Sequence, residues 1–247
     1  MSFQFIRVQD HEHVRVITFA RPEVRNAFNN ATYLEVASAL EEASSEDSVH
    51  VVVLTGEGEF FCAGQDLAEL KMPDPGTELG FPKLLKNLRS NVKPMIAAVN
   101  GPGVGLGLTM LLHTDINLVS QTSRFRLPFV TLAVVPEAAS SLLLPKIFGP
   151  QRAAEILYTA RWVSGTELVQ VGLALHEYPQ ADVLPEALKL AQTIAAMPPK
   201  SVQETRRLTR APMEDAIAKA LEMEGEAFRE RLGSPEQLAA VAKFFKR

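Results

Sequence analysis

Three short runs rich in β-branched and apolar residues, Val49 to Thr55, Met95 to Val99 and Ile116 to Val119, set the tightest limit on how this chain folds. Their length and side chains are those of strands, and Val51-Val52-Val53-Leu54 reads as a buried one. Helical spacing separates them, at Leu84 to Leu88 and at Leu106 to Leu112. Ahead of them, Phe5 to Val8 and Val14 to Phe19 alternate around Asp10-His11-Glu12-His13 and predict a hairpin. Thr32 to Ala43 then sets Leu34, Ala37 and Leu40 on one helical face. The succession predicts an α/β fold of repeated ββα units wound into a spiral. Two of the strand runs lead into glycine-bearing turns, Phe61-Cys62-Ala63-Gly64-Gln65-Asp66 and Asn100 to Gly107. Loops at strand ends are where ligands are usually held.

After Pro150 the pattern becomes helical. Ser164-Gly165-Thr166-Glu167 reads as a capping box, and Ser234-Pro235-Glu236-Gln237 as another with proline at the first helical position. The Pro/Gly-rich stretch from Lys71 to Gly76 reads as a mobile surface loop of the kind that closes over pockets. A chain of 247 residues, 47% hydrophobic, can bury a large core. One main domain over residues 1–190 and a C-terminal helical region over residues 191–247 are expected.

Composition removes several functions. A net charge of −4 with scattered basic residues leaves no electrostatic footprint for nucleic acid. Cys62 is the sole cysteine, so no intrachain disulfide forms, which suits a reducing compartment. With no histidine close to it in sequence, it reads as a packed apolar thiol rather than a nucleophile. No apolar run is long enough to span a bilayer, Met1 to Phe5 lacks a signal-peptide pattern, and the last residues carry no peroxisomal tripeptide. A cytoplasmic protein without membrane contact is expected. His11, His13, His50, His113 and His176 show no paired ligand spacing beyond His11-Glu12-His13 in a hairpin turn and read as surface residues, with no metal expected. Trp162 is expected to pack against a helix.

Three segments, Arg21 to Asn29 (Arg-Pro-Glu-Val-Arg-Asn-Ala-Phe-Asn), Phe61 to Leu67 and Ala97-Ala98-Val99-Asn100-Gly101, resemble in order and spacing the crotonase (enoyl-CoA hydratase/isomerase) superfamily over nearly the whole chain. Pro136-Glu137 followed by Ser140 to Lys146 looks most like its Δ3,Δ2-enoyl-CoA isomerase branch. The resemblance implies a crotonase-like spiral, an acyl-CoA thioester substrate, no separate cofactor, and a homotrimer or hexamer built partly through the helical tail.

It also implies roles. Removing the α-proton of a thioester builds charge on the carbonyl oxygen, and the resemblance puts the two stabilising N–H donors at Gln65 and Leu106, in turns shaped by Ala63-Gly64 and Gly105. Leu106 also stands where a helix begins, so its free N–H favours negative charge. A dinucleotide site is disfavoured, because the third glycine of G-x-G-x-x-G is missing. Glu137 falls at the proton carrier, moving a proton from C2 to C4. Its plainer alternative is a first-turn glutamate of a helix. Hydratases of the family use two glutamates to handle water, and the matching positions hold Thr109 and Phe129, neither a base at neutral pH. Arg25, Ala27, Asp66 and Leu67 match positions near bound CoA. For Arg25 a solvated surface arginine, and for Asp66 a helix cap, are the alternatives. Three functions stay open on these residues: an isomerase, another reaction of the superfamily such as hydration or thioester hydrolysis with Glu137 activating water, and a non-catalytic acyl-CoA-binding protein.

Overall fold

A computed structural model describes residues 3–69 and 76–245. The hairpin forms as β1 (Ile6–His11) and β2 (Val14–Phe19), antiparallel, with Glu12 at φ 55° in a turn shorter than the sequence suggests. The next strands, β3 (Val51–Gly56), β4 (Met95–Val99) and β6 (Ile116–Ser120), add in parallel, and β9 (His176–Tyr178) closes the edge. The sheet order is β1-β2-β3-β4-β6-β9. A second, three-stranded sheet holds β5 (Gly103–Val104), β7 (Arg124–Arg126) and β8 (Val163–Ser164). Of two isolated parallel bridges, Cys62 to Gly103 ties the first glycine turn to β5, and Phe28 to Gln65 ties that turn to the chain after β2. Chain that leaves a strand of the large sheet thus crosses to the smaller layer before entering a helix. That is the spiral of ββα units the sequence predicts.

The large sheet is covered on both faces, which explains its uniformly apolar strands. Val51, Val53, Ile96 and Ala98 face α7 (Gln180–Ala195) through Val183, Ala187 and Ala191, while Val52, Leu54, Ala97 and Val99 face the main core. α1 (Asn30–Ser45) and α2 (Gly80–Ser90) cover that core, with Asn29 capping α1 by accepting the Thr32 N–H at 2.8 Å. The buried face of α1 centres on Tyr33, Val36, Ala37 and Leu40, leaving Leu34 half-buried. The helix expected at 106–112 is a four-residue α-turn, α3 (Leu106–Thr109), continued by a 3-10 turn at Met110–Leu112.

α4 (Ser140–Phe148), α5 (Pro150–Thr159) and α6 (Gly165–Gln170) follow, the last with its capping box closed. The division expected at 190 falls inside α7, which is pinned to the sheet, so the core extends through Ala195. Then come α8 (Pro199–Arg210), α9 (Glu214–Arg231) and α10 (Pro235–Phe245). Ser234 accepts the Gln237 N–H, but the Gln237 side chain reaches Gly233 rather than the cap residue, so the second box is only half formed. These helices are tied back to the sheet: Asp115 accepts the Met95 N–H at 2.8 Å while pairing with Arg206 at 2.7 Å and Arg210 at 3.1 Å. Trp162, expected to pack against a helix, is exposed and carries Arg124 and Arg126 over its ring. Among the described residues no helix is long and apolar enough to cross a membrane. The surface loop expected from Lys71 lies, over residues 71–75, outside the described residues.

Since Leu54 is fully buried between helices and sheet, Leu54→Ala should lower the unfolding free energy by about 2–5 kcal/mol. Leu238→Ala, at a position 58% exposed, should stay within about 0.5 kcal/mol. Denaturant midpoints at constant m-value check both.

Candidate active site

The two glycine turns interlock. Val104 donates its N–H to the Cys62 carbonyl at 2.9 Å, and Phe28 donates to Gly64 at 2.8 Å while accepting from Asp66 at 2.9 Å. Gly64 has φ +84°, and a Cβ there would stand 2.6 Å from the Val104 carbonyl oxygen. Only glycine lets the turns approach this closely. At Gly107 a Cβ would run into the Cys62 carbonyl. In this arrangement the Gln65 N–H has no acceptor among the described residues, because the parallel bridge to Phe28 uses Gly64 and Asp66 instead. Leu106, first residue of α3, likewise keeps its N–H free of acceptors among the described residues.

Both turns open on a cavity of about 1800 Å³ that also reaches α1, α2, α9 and α10. That exceeds the space a drug-sized ligand fills and suits a longer one. Arg25, Ala63, Gly64, Gln65, Leu67, Gly105, Leu106, Phe129 and Glu137 all form its wall. Ala27, Asp66 and Thr109 stand behind the wall. Ala27 accepts a hydrogen bond from Arg21 at 2.6 Å, and Asp66 pairs with Arg21 at 3.2 Å while capping the Ala68 N–H. The cap reading of Asp66 is therefore the one its contacts support. Arg25 lines the cavity but is also exposed, as its solvated reading expects; it is held at φ 57° with its guanidinium 5.1 Å from the centre of the Phe60 ring.

Glu137 presents its carboxyl group to the cavity. It precedes α4 by three positions, but it is not a first-turn glutamate: the N–H groups of Ala139 and Ser141 at that helix start go to Glu224 of α9, at 2.7 and 2.8 Å. Burial pushes the Glu137 carboxyl up to about 8, and the neighbouring Glu224 carboxylate pushes the same way. Thr109 pulls it down from close by, although its hydroxyl completes no full hydrogen bond. Cys62 is buried and its thiol is pushed up to about 12, leaving it inert as a nucleophile.

His113 corrects the surface reading. It is fully buried, its Nε2–H donates to the Ala138 carbonyl at 2.8 Å, and burial lowers its pKa to about 4, so it stays neutral. The sequence reading also passes over α9, which contributes Leu221, Glu224 and Phe228 to the cavity. A signal exists for Glu224: Ile217, Leu221, Glu224 and Phe228 share one face of α9, and a glutamate on an apolar stripe is out of place unless something holds it. No group of three or more His, Cys, Asp or Glu among the described residues is arranged to hold a metal ion.

Known proteins share this fold. The family model described as "Enoyl-CoA hydratase/isomerase" matches residues 9–245. The chain is 30% identical to 2,3-dehydroadipyl-CoA hydratase of Escherichia coli strain K12, over 97% of this chain and 95% of that protein. It is 32% identical to rat (Rattus norvegicus) enoyl-CoA delta isomerase 2, over 98% of this chain and 63% of that longer protein. A crystal structure of an enoyl-CoA hydratase/isomerase from Pseudoalteromonas atlantica superposes with a TM-score of 0.95 at 35% identity, covering 98% of this chain and 97% of that one. With the same overall fold and a family model that runs nearly end to end, the chain belongs to the enoyl-CoA hydratase/isomerase family.

Proposed function

We propose that this protein is a Δ3,Δ2-enoyl-CoA isomerase, moving the double bond of a 3-enoyl-CoA to the 2-trans position. The observation that carries the reading is that, of the carboxylates lining the cavity among the described residues, Glu69 accepts the Asn30 N–H, Glu214 pairs with Arg89 and Glu224 accepts two backbone N–H groups, which leaves Glu137 as the one without such a partner. Glu137 faces the cavity, while the positions matching a hydratase's two glutamates hold a buried threonine, Thr109, and a phenylalanine, Phe129. Glu224 does not make up the number, since both its oxygens are occupied by backbone N–H groups. Family members bear both names, hydratase and isomerase, at about 30% identity, so the site chemistry has to decide between them.

In this mechanism ionised Glu137 takes a proton from C2 of the 3-enoyl thioester. The electron pair delocalises into a dienolate whose charge rests on the thioester oxygen, opposite the free N–H groups of Gln65 and Leu106. Protonated Glu137 then returns the proton at C4, the electrons move to form the C2–C3 double bond, and no atom is gained or lost. CoA arrives as part of the substrate, and the reaction draws on no other cofactor. Phe129 and the apolar wall around it keep the intermediate from water.

The test is direct. Adding a 3-enoyl-CoA should produce conjugated-enoyl absorbance, whereas a 2-enoyl-CoA should be hydrated much more slowly; comparable kcat/KM for the two would refute the isomerase reading. Glu137→Gln should retain CoA-ester binding and lose about 10²–10⁴ in isomerisation.

The pH dependence has a definite sign. Glu137 must be ionised to accept the C2 proton, so kcat/KM should climb with pH to a plateau above about 8. A carboxyl raised from 4.5 to about 8 binds its proton more tightly in the folded state, so its contribution to stability is complete below pH 4.5 and disappears as the pH rises through 8. Glu137→Gln should therefore be more stable than wild type at pH 8, by something on the order of 2 kcal/mol once water in the cavity is allowed for, and not at pH 4. Thermal unfolding of both proteins across this range provides the check.

Leu106 acts through its backbone. Leu106→Ala should be mild, and Leu106→Pro, which removes the N–H, should cost about 10²–10³ in rate. Circular dichroism and CoA-ester binding measured alongside separate loss of the donor from loss of the turn, and a folded, binding Leu106→Pro protein as active as Leu106→Ala would place the oxyanion hole elsewhere.

A further inference from the structure

Helix α9 carries a buried carboxylate that the proton shuttle does not use. Glu224 is only 7% exposed and has no cationic partner among the described residues. A buried charge without a counter-ion is unfavourable unless hydrogen bonds satisfy it. Here those bonds come from two backbone groups, the N–H of Ala139 to Oε2 at 2.7 Å and that of Ser141 to Oε1 at 2.8 Å. Both lie just beyond Glu137. Ala138 and Ala139 have φ of 58° and 56°, the left-handed region that a side chain makes unfavourable. Two such alanines in succession persist only where the surroundings hold them. They are held from two sides, by His113 on the Ala138 carbonyl and by Glu224 on the Ala139 N–H.

We propose that Glu224 is a positioning residue for Glu137: by bridging the Ala139 and Ser141 N–H groups it locks the left-handed turn that points Glu137 into the cavity, so helix α9 fixes both the aim and the electrostatic surroundings of the proton carrier. The proposal rests on the reading of Glu137 as that carrier. Facing Glu137 are Glu224 from α9, Thr109 from α3, Tyr33 from α1 and Cys62 from the first turn. Burial holds the Tyr33 phenol and the Cys62 thiol protonated, which leaves Glu224 as the charged neighbour. Burial also raises the Glu224 carboxyl, against which the Ser141 and Ala139 groups favour its ionised form.

The experiment compares wild type with Glu224→Gln. Glutamine has nearly the same shape, cannot accept from both amides with equivalent oxygens, and carries no charge. In the isomerase assay kcat should fall about 10–100-fold with KM little changed, and the midpoint of the rise of kcat/KM with pH should move to lower pH. A fall in kcat with an unmoved midpoint, or no fall at all, overturns the proposal. Two measurements without substrate distinguish failure of this proposal from failure of the isomerase reading. Amide exchange at Ala139 and Ser141 should quicken by at least about tenfold in the variant, and the Glu137 carboxyl, followed by carbon NMR, should titrate at lower pH. Slow exchange and an unshifted carboxyl in the variant would sink the idea whatever reaction the enzyme performs. Should Glu224→Gln fail to fold by circular dichroism, Glu224→Asp separates the two roles. Its shorter side chain keeps the charge but cannot bridge both amides, so exchange should quicken while Glu137 stays raised. Unchanged exchange in Glu224→Asp, or fast exchange at these amides in the wild type, is the contrary result.

Discussion

Everything at this site depends on how closely two turns approach each other. The hydrogen bond from Val104 to the Cys62 carbonyl, with glycines at 64 and 107 where any side chain would strike backbone, fixes the chain after β3 against the chain after β4. The free N–H groups of Gln65 and Leu106 are consequences of that contact: one is passed over by the bridge to Phe28, the other begins a helix. Neither depends on a side-chain rotamer. Donors built into packed backbone need no reorganisation when charge develops, which is where preorganised electrostatics has its advantage. The two-layer spiral is what brings consecutive strand ends together at the required spacing.

Glu137 is held in a different manner. The amides come from the rigid centre of the fold, whereas the carboxylate sits on a strained turn braced by His113 and by a helix from the far end of the chain. The same surroundings that hold it also make it hard to ionise. Enclosure and the Glu224 charge both favour its neutral form, and a carboxyl poised near 8 is a stronger base once ionised than an ordinary glutamate. Stability is given up for that poise, since a raised carboxyl costs folding free energy increasingly as the pH rises above 4.5 and in full above about 8.

Much of this is legible in the sequence alone. The apolar strands declare themselves because both faces of the large sheet are covered, by α7 on one side and the main core on the other. The turns declare themselves through their glycines, and Glu137 through its placement beside proline. Strands of two or three residues, β5, β7, β8 and β9, leave no periodicity to read. Helical patterning from Pro150 onward does not mark where the core ends, and the boundary expected at 190 cuts through α7, which belongs to the sheet it covers. In sequence His113 looks like any isolated histidine, because its burial depends on Ala138, which is brought to it only by the tertiary fold.

Glu224 shows why such residues escape a reading along the chain. Its neighbours Glu222 and Glu226 are of the same type, and what distinguishes it is helical phase: it falls in register with Ile217, Leu221 and Phe228 rather than with the solvent side. Phase alone says that the carboxylate is buried, not what it meets, because its partners lie more than eighty residues earlier. The C-terminal helices therefore do more than extend the fold. One of them lines the cavity and holds the turn that follows Glu137, so a shift of α9 by a fraction of a helical turn would disturb Glu137 while leaving the Gln65 and Leu106 amides in place. Within this fold the free Gln65 and Leu106 amides and the proposed proton carrier, Glu137, are supported by separate parts of the chain, and the second can vary without rebuilding the first.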